Sequence, residues 1–379
     1  MTVTFRACMA LGIGLFLLGV HLSAASGRLV WVGTYTGPKS EGIYAFRFDA
    51  ATGALTSLGV AAHTPSPSFL ALHPNGRFLY AVNETHDGAS KSGSVTAFEI
   101  DSVTGRLSAL NSQPSHGADP CHLAIDATGH FLVVANYSSG TNAVFPIGAD
   151  GRLGDAVSVR VDEGSGPNKD RQEGPHAHAV VFDSTNRHLI AVDLGTDQLL
   201  VYHFDAASGK LSPADPPALH VVPGSGPRHF AFHPDGRRAY AINEMASTIT
   251  PLIWNAATSS LTAGAPVSTL PAGFKGSSTT AEIALDQRGR FLYGSNRGHD
   301  SIAVYKVAPS GALTLAGHTS TRGKTPRHFA LDPTGGWLIA ANQDSDSLAV
   351  FKIDPATGGL TPRGDLASVG SPVCVLFGR

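Results

Sequence analysis

An all-β ring of seven small sheets is the fold that this sequence predicts, and three observations carry the prediction. One motif recurs six times, as FLALHPNGRFLYAVN, HLAIDATGHFLVVAN, AVVFDSTNRHLIAVD, HFAFHPDGRRAYAIN, EIALDQRGRFLYGSN and HFALDPTGGWLIAAN. Counted from His73, Asp126, Asp183, His233, Asp286 and Asp332, the copies stand 53, 57, 50, 53 and 46 residues apart. An Asn or Asp lies ten residues after each anchor, at Asn83, Asn136, Asp193, Asn243, Asn296 and Asn342. Each copy resolves into short strands joined by Gly- and Pro-containing turns. The two ends of the repeated region supply the pieces of one further copy. Strand-built repeats near 50 residues indicate a β-propeller, which presents the same position of every blade around one central mouth.

The elements follow in order. Residues 1–26 read as a secretory signal peptide. Arg6 begins it, an apolar run from Ala7 to Val20 is too short to span a bilayer, and Ser23, Ala24 and Ala25 offer a cleavage site near Ala25. The expected product is a periplasmic or secreted protein whose single domain is the propeller at 27–379. Leu29–Val60 holds three strands without an inner one, and the tail Ser371–Phe377 is a lone strand. Together they make blade 1, closed by both termini, at 29–60 plus 371–378. The other blades are expected near 66–112, 119–161, 175–222, 226–270, 280–319 and 325–366, each a four-stranded antiparallel sheet. In blade 2 the strands are read as Ser68–Leu72, Phe78–Val82, Ser94–Ile100 and a ragged stretch at Leu107–Leu110. Turns such as HPNGR and DSVTGRL have architectural chemistry: Asp and Thr side chains satisfy turn amides and Gly takes positive φ. One stretch breaks the rhythm. The polar connection Asp162–Gly174, DEGSGPNKDRQEG, is long for a blade junction and runs into Pro175-His176-Ala177-His178. Such excursions are where binding loops reside.

Composition narrows the function classes. Twenty-seven basic residues face 29 acidic ones, with no basic stripe, so nucleic acid is not an expected partner. No segment after the signal is long and apolar enough to cross a membrane, and a monomer is expected. Cys121 and Cys374 fall at inner-strand starts in non-adjacent blades and read as buried free thiols.

The chemistry is expected at the rim where inner strands begin and second strands end. Five residues before the anchors stand Ser68, Cys121, His178, Arg228, Ala281 and Arg327; four before stand Phe69, His122, Ala179, His229, Glu282 and His328. One past the repeated Asn/Asp stand Glu84, Tyr137, Leu194, Glu244, Arg297 and Gln343. Polar groups converging over an apolar body make the default binding site. The repeated Asn/Asp residues read mainly as structural ties, although Asn243, beside Glu244, is taken with the substrate-binding set. Arg228, Arg297 and Arg327 on one rim would repel one another by roughly 3 kcal/mol per pair at ~5 Å and an effective dielectric of ~20. Glu244, Glu282 and Glu84 would offset part of that. Arginines with carboxylates suit a small anionic ligand. His176 and His178 form an HxH pair that would share one face of a strand. Partners at zinc spacing are missing and arginine neighbours disfavour a cation, so neither metal nor another cofactor is expected.

At these residues the sequence resembles the lactonase-family β-propellers, which include bacterial 6-phosphogluconolactonases and fungal carboxymuconate-lactonizing enzymes. The matching motifs are GTYT at Gly33–Thr36, PSFLALHP, PCHLAID, GPNKDRQEGPHAH, GPRHFAFHP followed by Asn243-Glu244, and SNRG. The resemblance implies lactone hydrolysis and a site of one His, two Arg and one Glu. These are His176 or His178, then Arg228, Glu244 and Arg297, with Glu244 or the histidine as base and the arginines holding the anion. His122, His229, Arg327, His328, Glu282, Glu84 and Asn243 complete the expected substrate-binding set. The signal peptide departs from a cytosolic phosphorylated substrate and makes an unphosphorylated aldonolactone plausible. Two other readings stand beside hydrolysis: lactonisation of a muconate-type acid at the same site, and a non-catalytic exported propeller that binds a ligand or partner.

Overall fold

A computed structural model describes residues 1–3, 27–86 and 92–379. The signal-peptide reading, apart from its first three residues, falls on residues outside that set. The chain folds into seven antiparallel sheets. Their inner strands, Leu70–Leu72, Pro120–Ile125, Ala177–Phe182, Pro227–Phe232, Thr279–Leu285, Pro326–Leu331 and Pro372–Phe377, each contact the next, and the last contacts the first. The ring is therefore closed, as the repeat count requires. Blade 1 takes Pro372–Phe377 as its innermost strand against Arg28–Thr34, with Val30 opposite Phe377 and Val32 opposite Val375. Closure by the two ends leaves no blade missing a strand for its neighbour to pair with.

The strands form where the sequence alternates. Second strands such as Phe78–Asn83, Phe131–Asn136 and Trp337–Asn342 are buried along their whole length because both faces pack against adjacent blades. The core consequently lies between blades rather than on the axis. Tyr80 and Val82 of blade 2 pack with Leu132 and Phe145 of blade 3, and Ile190 and Val201 of blade 4 with Ala239 and Trp254 of blade 5. One tie repeats at five junctions. Trp31 donates to Gly105 O, Tyr80 to Gly151 O, Tyr240 to Gly311 O, Tyr293 to Gly358 O and Trp337 to Ala50 O, at 2.8–3.0 Å. The acceptors sit in or beside the outer turns of the next blade. Gly53, with φ of +79°, shows why such a turn needs glycine, since a Cβ there would lie 2.3 Å from the Trp337 ring. The expected turn chemistry is present: the Asp49 carboxylate accepts Ala51 N at 2.8 Å and the Thr52 hydroxyl at 2.7 Å.

Differences from the expected boundaries are local. The inner strand of blade 2 starts at Leu70 rather than Ser68, after a Ser66 held at φ of +37°. The outer strand of blade 2 extends to Pro114. In blade 5 the outer strand divides into Ser260–Ala263 and Val267–Ser268 around Gly264–Pro266. Cys121 and Cys374 are free and buried.

Candidate active site

The inner strands share an irregularity that sets the site. Pairing with the second strand skips a residue between Pro120 and His122, Ala177 and Ala179, Pro227 and His229, and Pro326 and His328. The residues passed over are Cys121, His178, Arg228 and Arg327. A bulge leaves its extra residue outside the alternation and re-aims its side chain. His176 and His178 therefore do not share one face, against the expectation for the HxH pair. The His176 ring stacks on Tyr137 at 4.5 Å, with its Nδ1 3.1 Å from Tyr137 O, whereas His178 lines a cavity.

That cavity has a volume of about 390 Å³ and is walled by residues at or one past the ends of second strands, Tyr35, Glu84, Tyr137, Glu244 and Arg297, together with Cys121, His178, Arg327 and Arg171. Its centre of charge is Glu244, which is 5% exposed. One carboxylate oxygen accepts Arg171 Nη2 at 2.8 Å; the other accepts Arg228 Nε at 3.0 Å and Arg297 Nη2 at 2.8 Å. Burial would raise this carboxyl, but the charges of Arg297, Arg228 and Arg171 outweigh it and hold the group down to about 2. Arg228, buried and crowded by Arg297 and Arg327, is pushed down to about 10 and stays cationic at neutral pH. Arg228 also donates to Ala281 O at 2.7 Å. Of the three rim arginines expected to repel one another, Arg228 and Arg297 are thus met by one carboxylate, which they share with Arg171.

Across the cavity Arg327 makes no ion pair with a described carboxylate. Its guanidinium stands 5.2 Å from the centre of the Tyr35 ring, and the Tyr35 hydroxyl donates to Glu84 Oε1 at 2.8 Å. Glu84 Oε2 is buried without a hydrogen-bond partner. The His178 Nδ1 lies 3.8 Å from Cys121 Sγ, and its Nε2 has no partner among the described residues. Burial, then the charges of Arg228 and its neighbours, hold His178 well below the ordinary imidazole range, so it is a neutral ring at pH 7.

Beneath this layer lies a second ring of side chains. Phe69 packs on His122 at 4.1 Å and meets His229 and His328 edge-on at 5.9 and 5.6 Å. Glu282 Oε2 takes His229 Nδ1 at 3.0 Å and His328 Nε2 at 3.2 Å. Val375 N donates to His328 Nδ1 at 3.2 Å, which places that ring's proton on the nitrogen facing Glu282. His122, His229, His328 and Glu282 therefore form the floor beneath the cavity and do not line it. Asn243 is also set apart: its amide nitrogen is spent on Thr248 and Thr250, and its backbone carbonyl on Thr280. Among the described residues no cluster of three or more His, Cys, Asp or Glu side chains is arranged to hold a metal ion.

The structure thus gathers His178, Glu244, Arg297, Arg327 and Glu84 around one cavity, with Arg228 behind Glu244, from blades that are far apart in sequence. Four lining residues had no sequence assignment. Cys121 and Tyr137 occupy rim positions that the repeat register already marks, and Tyr35 is the blade 1 counterpart of Glu84. Arg171 comes from the long polar connection, which is anchored by buried Gln172 through its bond to Leu194 O at 2.9 Å. The sequence signal for Arg171 was the irregular length of that loop.

Comparisons place this geometry. The profile of the family described as "Lactonase, 7-bladed beta-propeller" matches residues 29–377. A 6-phosphogluconolactonase of Bacillus subtilis is 40% identical over 348 residues, 92% of this chain and 97% of that protein. Among solved structures, a periplasmic gluconolactonase of Pseudomonas aeruginosa superposes with a TM-score of 0.87 at 35% identity, covering 93% of this chain and 99% of the other. A crystal structure of a putative 6-phosphogluconolactonase from Bacteroides fragilis gives 0.86 at 38% identity, covering 94% and 99%. On the matched profile and on identity across nearly its whole propeller, the chain belongs to the lactonase family of seven-bladed β-propellers.

Proposed function

We propose that this protein hydrolyses the lactone of a sugar acid in the cavity between Glu244 and Arg327, with arginine charge supplying what a metal ion supplies elsewhere. The carrying observation is the division of labour among the arginines. Three are committed to Glu244, while Arg327 faces the same space without a carboxylate partner. Water attacks the lactone carbonyl carbon, and His178 Nε2 accepts its proton. Negative charge then moves onto the carbonyl oxygen, where Arg327 and the free N–H groups of Arg297 and Arg171 stabilise it. The ring C–O bond breaks, the imidazolium returns the proton to the departing oxygen, and a hydroxy acid leaves. Both oxygens of Glu244 are taken up by guanidiniums, so its part is to keep three of them together and aimed, while the Nε2 of His178 is left for the water. Of the three relatives named above, one bears the name 6-phosphogluconolactonase and another that of a periplasmic gluconolactonase, which supports a gluconate-type lactone as substrate. We further propose export through residues 1–26, in keeping with the periplasmic relative, so that an unphosphorylated lactone is the expected substrate.

Rates on δ-gluconolactone with and without a 6-phosphate, in the presence and absence of chelator, test this reading. Turnover should survive the chelator and fall at least a hundredfold in His178→Ala and Arg327→Ala, with thermal midpoints within a few degrees of wild type. Undiminished turnover in both folded variants would remove the assignment. Turnover on muconate-type acids but not on sugar lactones would favour lactonisation instead.

A further inference from the structure

We infer that the substrate carries a neutral, hydroxyl-rich unit beyond its lactone ring, a glycosyl residue, and that a cleft beside the reacting cavity holds it. The inference rests on the lactonase reading above and specifies its substrate class. A cleft of about 430 Å³ lies between the Tyr35–Ser40 segment after the second strand of blade 1 and the Gln343–Asp346 turn of blade 7. That is within the range of clefts that seat small ligands. Tyr35 is the wall common to this cleft and the reacting cavity. Its ring is fixed by the Arg327 guanidinium and by the hydrogen bond from its hydroxyl to Glu84. A molecule seated against Tyr35 on the cavity side thus has a second space directly across one aromatic side chain, a surface on which sugar rings pack readily.

The two spaces differ in charge. Around the cavity Arg171, Arg297 and Arg327, with Arg228 behind them, face Glu84 and Glu244. In the cleft Lys39 alone faces Asp344 and Asp346, and its ammonium is already committed to Asp346 Oδ2 at 2.6 Å. A phosphate there would meet surplus negative charge. Sugar hydroxyls would meet acceptors, because ionised carboxylates and amide oxygens accept without donating. Gln343 also lines the cleft; its Oε1 has no hydrogen-bond partner and is shut off from solvent, so it becomes a further acceptor once the side chain turns toward a seated hydroxyl. Its backbone N–H donates to Thr325 O at 3.0 Å, so the residue's position does not depend on its side chain. The cavity therefore suits the part of the substrate that becomes anionic, and the cleft suits a neutral polyol.

The experiment compares kcat/KM on δ-gluconolactone with kcat/KM on cellobiono-, maltobiono- and melibiono-lactone, in wild type, Gln343→Ala and Asp344→Ala. Wild type should prefer at least one disaccharide lactone by tenfold or more, with most of the gain in KM. Gln343→Ala should reduce that preference below threefold and leave gluconolactone turnover within twofold. Equal or lower kcat/KM on all three disaccharide lactones, or a preference that survives both substitutions, overturns the inference. Folded protein that turns over no lactone at all would instead sink the parent reading, so the two failures are distinct.

Discussion

Glu244 shows how one residue sets the character of the whole site. A buried carboxylate accepting from three guanidiniums cannot be removed quietly, because its loss leaves neighbouring buried charges uncompensated, an effect of roughly 3–5 kcal/mol for a fully buried pair. Replacing Glu244 by Gln keeps the shape and deletes the charge. The expected result is a kcat/KM at least a hundredfold lower and a clearly reduced thermal midpoint. Inorganic phosphate should then raise the midpoint of Glu244→Gln more than that of wild type, since an added anion replaces the missing one by linkage. Calorimetric scans with and without phosphate check this, and an equal response in both proteins would mean that the three arginines are not held by that carboxylate. His178 makes the contrasting case. It is kept neutral by burial and by the charges of Arg228 and its neighbours, so a ring that is poor at holding a proton is nevertheless ready to take one at pH 7.

The decisive elements are the inner-strand bulge and the polar connection at 162–174. The connection folds on itself, with Gln172 N and Arg171 N both donating to Asn168 O and Gly166 N to Gln172 O. This small knot carries the Arg171 side chain to Glu244 and to the Tyr137 hydroxyl, at 2.8 and 3.3 Å. The Arg171 side chain is 41% exposed, so its ion pair is screened and contributes at most about 1 kcal/mol to stability. Arg171→Ala should therefore shift the thermal midpoint by no more than a degree or two, while raising KM about tenfold and changing kcat less. A loss confined to stability, with KM intact, would make the loop a strut rather than part of the binding surface. These two elements also mark what was legible. The rim positions could be read because turns such as HPDGR fix the register locally, so counting back from His233 reaches Arg228 and counting forward reaches Glu244. The bulge could not be read, because skipping a residue depends on the neighbouring strand, and it decides that His178 rather than His176 enters the cavity. Arg171 could not be placed because its loop has no counterpart in any other blade. Asn243 was half legible: the recurrence of Asn or Asp at its place in six of the seven blades signalled a tie, and the structure gives it two threonine partners.

At the scale of the molecule, the ring gathers side chains that no single blade could hold. The repeat count and the split blade 1 fixed the closure, but not the depth at which each inward residue sits. His122, His229 and His328 each follow a bulged rim residue by one position, and Glu282 lies within the skip between Thr280 and Ile283; all four form the floor instead of lining the cavity. Packing three imidazoles there, with His178 in the cavity wall next to them, has a consequence for the whole fold. Burial lowers His122, His178 and His229 well below 6.5, and His328 to about 4. In the unfolded chain these rings take protons as pH falls through 6.5, whereas in the fold they do not, so stability is full above 6.5 and declines on acidification toward 4. Two buried carboxyls act the other way. Glu282 is raised by burial, and Asp162 is raised to about 8 by burial and by Asp193. Both keep protons in the fold that the unfolded chain has released, so they favour the fold as pH falls through their own ranges. With four rings lowered and two carboxyls raised, the unfolded chain holds more protons than the fold just below pH 6.5, so stability declines as pH falls through that range. As pH rises toward about 8 the fold must give up the Asp162 proton, and that carboxyl turns the stability curve over. Guanidinium unfolding at pH 7, 6 and 5 should show midpoints that fall steadily with unchanged slopes. His122→Phe, which removes one ring while keeping the stack on Phe69, should show a shallower decline whatever its absolute stability. Midpoints that stay level between pH 7 and 5 would mean that the channel floor takes up protons without strain, and that the neutral histidine on which the hydrolytic reading depends is not enforced by its surroundings.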